Sequence, residues 1–168
     1  LARAALLGPR PVPDALRVCA RLREEAPTDR SLDGILCTIE GALTARLGRF
    51  DEARVLIRRS EAMFRDLGLS LHLAGLHQYS AGIELLADDP VAAERELRVG
   101  YDDYVRMGER ARLSTTAALL AVALHAQGRD EEAHRHTVVS EESASPDDLA
   151  SQVFWREARA RVLARRLR

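Results

Sequence analysis

The chain has 168 residues, of which 46% are hydrophobic and 30% charged, a balance that excludes a disordered segment and suits one domain with a substantial core. No apolar run reaches the roughly 18 residues that a membrane span requires, and a net charge of -1 argues against nucleic acid as a direct partner, since phosphate binding needs clustered excess cations. All 25 basic residues are Arg, which is read as the bias of a GC-rich genome, and aromatics at 4% beside abundant Ala, Leu, Arg and Glu favour closely packed helices over a β-sandwich.

In chain order, residues 1–7 read as the remnant of a helix and 14–25 as its partner. Apolar residues at helical spacing then predict helices over 32–47 and 51–67, over 71–87 and a following helix ending at Gly108, and over 111–127 and 131–143. Asp89 is placed to cap the helix that ends at Gly108, with Pro90 in the first turn, where a missing N–H costs little. A last helix is predicted over 147–167. Connections of about three residues make successive helices antiparallel neighbours.

A 40-residue period organises these elements. Ala53, Ala93 and Ala133 are spaced by 40 in the phrases GRFDEAR, DDPVAAER and GRDEEAHR, while Gly68 precedes Gly108, and Gly8 precedes Gly48, by the same interval. Each alanine follows a small residue of the preceding helix by twelve positions (Gly41, Ala81, Ala121) and precedes another by seven (Ser60, Gly100, Ser140). Small side chains at fixed spacing are what two helices need where they cross closely. The reading is an all-α, α-solenoid fold of antiparallel helix pairs in a single domain over 1–168, with about eight helices. Full repeats lie near 32–68, 71–108 and 111–144, with partial repeats at both ends. A start at Leu1, without Met, and ends lacking a polar cap lead us to expect a piece of a longer protein.

With Gly48 and Phe50 in the turn, this pattern resembles the tetratricopeptide repeat. It departs from that family in its long period and in carrying Cys37, His77 and Ala117 where a large aromatic is usual, so a HEAT-like repeat is the alternative. From Gly41 onward, phrases such as AERELRVGYD and ASQVFWREARARVLARR resemble the helical tails of actinobacterial multidomain regulators that combine a signalling ATPase with a nucleotide cyclase or transcription-factor domain. That resemblance implies a bacterial, cytoplasmic signalling protein. The phosphate loop and the cyclase carboxylates of such proteins lie outside this stretch, so no catalytic residue and no cofactor is expected here.

The chemistry-bearing residues point the same way. His134 and His136, two apart on a helix, project about 200° apart and are not expected to share a metal ion, while His72 and His77 are also wrongly spaced. Glycines occur singly, outside any phosphate-cradling motif. Asp102–Asp103, Glu131–Glu132, Glu141–Glu142 and Asp147–Asp148 fall at helix starts or on solvated faces, and the six arginines from Arg156 to Arg168 read as an outer face. Cys19 and Cys37 read as buried thiols, with a disulfide as the other arrangement.

The surface expected to bind is the concave wall of first helices. The repeat frame puts Ile35, Thr38, Ala42 and Ala45 there, then Gly75, Gln78, Gly82 and Leu85, then Thr115, Ala118, Val122 and His125. This wall is small-sided and mostly neutral, which suits a protein or peptide with apolar anchors, other domains of the same polypeptide among them. The competing expectation is an inducer-sensing domain that holds a small molecule. No membrane partner is expected, and uncapped solenoid ends leave room for homo-oligomers.

Overall fold

A computed structural model describes residues 11–166, all of whose regular elements are α-helices. The first compact unit runs up to Asp88 and the second begins at Asp89, a boundary inside the second repeat of the sequence frame. Unit 1 holds α1 (Val12–Glu25), α2 (Arg30–Ala45), α3 (Phe50–Asp66) and α4 (Ser70–Leu86). Unit 2 holds α5 (Pro90–Met107), α6 (Arg110–Ala126), α7 (Asp130–Ser143) and α8 (Leu149–Arg166). The predicted helices appear within one or two residues of their expected ends, and the remnant expected over 1–7 lies outside the described residues.

Within each unit, connections of two to five residues force neighbouring helices to run antiparallel. Most of these turns end alike. Gly48, Gly68, Gly108 and Gly128 have positive φ between 66° and 78°, and Asp88 takes the same left-handed conformation at φ 59°. The left-handed residue thus recurs every 20 positions, so each 40-residue repeat is two helix-turn modules of equal length. Glycine adopts this conformation without a Cβ penalty, and Asp is among the few side chains that tolerate it. Caps complete several ends. Asp29 accepts from the Ser31 and Leu32 amides at 3.0 Å, and Asp89 accepts from the Ala92 amide at 2.9 Å with Pro90 in the first turn, as its sequence predicts.

Helix pairs close on small residues. In unit 1, α2 packs on α3, α3 on α4, and the first-type helices α2 and α4 pack directly on one another. A Cβ on Gly41 would stand 3.2 Å from the Ala53 carbonyl oxygen, so the pair crosses at glycine-to-alanine distance. Beside it, the Ser60 hydroxyl donates to the Gly34 carbonyl at 2.7 Å and shares a 2.7 Å hydrogen bond with Thr38. The same clasp recurs 80 residues later in unit 2, where Ser140 donates to the Ser114 carbonyl, and Ser114 to the Ser140 carbonyl, both at 2.7 Å. Unit 2 likewise packs α6 on α5 and α7, and α8 on α6 and α7.

Two clusters fill unit 1. Ala15, Cys19, Leu36, Ile39 and Leu43 join α1 to α2, and Ala45, Ala53, Ile57, Leu76 and Ile83 join α2, α3 and α4, with Tyr79 against both. In unit 2, Leu97, Tyr104, Leu120, Leu124 and Val162 are fully buried around Ala117, Ala121 and Ala133. Of the three positions where the resemblance implies a large aromatic, Cys37 and Ala117 are buried and His77 is half-buried. The bulk is supplied instead by Phe64 and Tyr104, near the ends of α3 and α5.

Candidate binding wall

The twelve wall positions divide by burial. Ile35 and Ala42 of α2 are half-buried, as are Gln78, Gly82 and Leu85 of α4, and the two helices pack together. Thr38 and Ala45 are turned into the pair instead. Thr38 is held by Ser60 and by the Gly34 carbonyl at 3.0 Å, and Ala45 packs with Ala53 and Ile57. Gly75 is also buried. A frame read as i, i+3, i+7 and i+10 stays on one side of a helix, but its members alternate about the edge of a stripe only some 100° wide. Three of the eight positions on α2 and α4 fall on the covered side.

Gly82 is the open point of the wall. A Cβ built there meets nothing within 4 Å, in contrast to Gly34, where it would collide with the Phe64 ring at 2.6 Å. In unit 2, Thr115, Val122 and His125 of α6 are half-buried and Ala118 is buried. His125 ends this wall in a polar group. Its Nδ1 lies 2.6 Å from an Asp130 carboxylate oxygen, and its carbonyl accepts from Arg165 of α8 at 2.8 Å.

Ion pairs that join helices were not legible in the sequence. Arg54 of α3 grips Glu84 of α4 through two hydrogen bonds, at 2.9 and 2.6 Å. Arg23 of α1 reaches both Asp33 and Glu40 of α2, at 2.7 and 2.8 Å. In unit 2, Glu94 accepts from Arg98, Arg129 and Gln127, while both arginines also bind Glu132. Burial pushes the Glu94 carboxyl up, but these donors outweigh it and hold it below the usual range. The signal available beforehand was a Glu at 84 and at 94 on otherwise apolar helix faces. Which Arg each would meet depends on neighbours 30 or more residues away.

The remaining reactive groups are tied down or muted. Cys19 and Cys37 are free and buried, which settles the two arrangements in favour of thiols; burial pushes the Cys19 thiol up to about 11 and raises that of Cys37. Burial, with Arg98 nearby, lowers the His136 imidazole below its ordinary 6.5, and its ring stands edge-on to Tyr101 at 5.5 Å. His72 packs against Phe64 at 5.1 Å. Among the described residues no group of three His, Cys, Asp or Glu side chains is placed to hold a metal ion, and no helix is long and apolar enough to cross a membrane.

No family model matches the chain, and no curated protein matches it.

Proposed function

We propose that this chain is a non-catalytic scaffold that binds a protein or peptide on its first-helix wall, as a segment of a bacterial multidomain signalling regulator. The observation that carries the reading is the set of neutral, half-buried residues of α2 and α4, with open space over Gly82. Ile35 and Leu85 offer apolar contact there. The tetratricopeptide resemblance and the regulator-tail phrases support a cytoplasmic signalling context for such a wall.

A peptide-display selection against the 168-residue chain tests it. The wild type should enrich sequences with apolar anchors, and Gly82→Leu, which fills the open point while improving helix propensity, should abolish enrichment without lowering the melting temperature. The same open space also suits an inducer. A metabolite that raises the melting temperature by several degrees, with no peptide enriched, would replace the scaffold by a small-molecule sensor.

A further inference from the structure

Within unit 2, α5 and α7 both pack on α6 and meet each other through long side chains. Arg98 of α5 donates to Glu132 of α7 at 2.6 Å. One turn further along both helices the charged pair gives way to an aromatic one. The rings of Tyr101 and His136 stand edge to face, 5.5 Å apart at 88°. Both residues are half-buried, and the Nδ1 of His136 is fully buried with no hydrogen-bond partner among the described residues.

That site accepts a neutral imidazole and resists a charged one. Protonation puts a hydrogen on both ring nitrogens, and a buried N–H without an acceptor costs its full desolvation penalty. The surrounding charges add to the cost. On α5, Arg98 stands near the ring, and on α7 so does Arg135, while Glu94 and Glu132 pull the other way. Both of these carboxylates are already engaged by Arg98 and Arg129. The other helices packed on α7 place their charged groups on its backbone or its ends. From α6, Arg110 donates to the Glu142 carbonyl and His125 pairs with Asp130; from α8, Arg159 donates to the Thr137 carbonyl and binds Glu141.

We propose that His136 is an acid-sensitive latch between α5 and α7: the neutral ring lies against Tyr101, and protonation on mild acidification drives it out and loosens this side of unit 2. The latch lies apart from the first-helix wall, and its test does not depend on that reading.

Burial first, and Arg98 next, hold the His136 pKa below its ordinary 6.5. A group with a depressed folded pKa contributes stability above its unfolded pKa and loses it as pH falls through the folded one. The loss therefore begins near 6.5, well above the range in which Glu94 takes up its proton.

Proton NMR of the 168-residue chain, with the histidine signals assigned by single His→Gln variants, should show His136 titrating below 6.5. Thermal melts between about pH 7.5 and 5.2, above the carboxylate range, should show the wild-type Tm falling by several degrees. His136→Gln, which stays neutral throughout, should flatten that fall. The contact itself is read by a double-mutant cycle of Tyr101→Ala and His136→Ala, whose coupling should be present at pH 7.5 and lost at pH 5.2. A His136 that titrates at or above 6.5 overturns the proposal, and this measurement on the wild type decides even where a variant fails to fold. So does a coupling that is equal at both pH values. A fall in Tm that persists in His136→Gln but disappears in His134→Gln, about 200° away around α7, also overturns it, by moving the sensor to the other histidine.

Discussion

At Gly41, a Cβ would stand 3.2 Å from the Ala53 carbonyl oxygen and 3.3 Å from Ile57, whereas at Gly82 it would meet nothing within 4 Å. Both glycines lie inside helices, and the same substitution class should therefore act in opposite directions. Gly82→Ala removes the entropic cost of a helical glycine and should raise stability by about 0.5–1 kcal/mol. Gly41→Leu forces side-chain volume into the crossing of α2 and α3 and should cost about 1–3 kcal/mol. Urea unfolding of the two variants beside the wild type measures both, and a neutral Gly41→Leu would mean that the crossing is looser than the Ala53 contact implies.

Helices of this chain are joined by charge as well as by small residues. Glu94 of α5 takes Arg98 of its own helix, Gln127 beyond the end of α6 and Arg129 just before α7, so one carboxylate ties three elements together. Its folded pKa lies below the ordinary 4.5. A carboxyl with a depressed folded pKa contributes stability above its unfolded pKa and loses it as pH falls through the folded value. Denaturant midpoints should accordingly drop as pH is lowered below about 4.5, and Glu94→Ala should flatten that acid limb. At neutral pH the same variant should cost roughly 1–2 kcal/mol, less than a fully buried pair, because Arg98 and Arg129 still reach solvent. An unchanged acid limb in Glu94→Ala would assign the loss to other carboxylates, of which Asp33 and Glu132 are also held low by arginines.

On the scale of the whole molecule, α2 of unit 1 and α6 of unit 2 are the most deeply buried helices, and the thiols of α1 and α2 both lie inside unit 1. Cys19 and Cys37 both have 0% exposure and raised thiol pKa values. The thiolate is the reactive species, so a thiol reagent at neutral pH should label neither cysteine of the folded chain on the timescale that labels both in denaturant. Prompt labelling of the native chain would show that α1 opens from α2, since Cys19 of α1 and its neighbours Leu36, Ile39 and Leu43 of α2 form one cluster.

Period, helix boundaries and the identity of the crossing residues were legible in the sequence alone, because they follow from short-range constraints. A left-handed turn selects Gly, a cap selects Asp, and a close crossing selects Gly, Ala or Ser at a fixed offset. Ala53, Ala93 and Ala133 are all fully buried where the 40-residue frame puts them. Three things were decided only by the tertiary structure. Asp88 occupies the left-handed turn position that glycine holds at 48, 68, 108 and 128, which no glycine-based frame reveals. Thr38 and Ala45 turn into the helix pair rather than onto the wall, because a rotation of a few tens of degrees about the helix axis separates the two sides. The partners of Arg23, Arg54 and Glu94 were likewise out of reach. A long flexible side chain can satisfy its charge anywhere within several ångströms, so only the packed helices determine which carboxylate it meets.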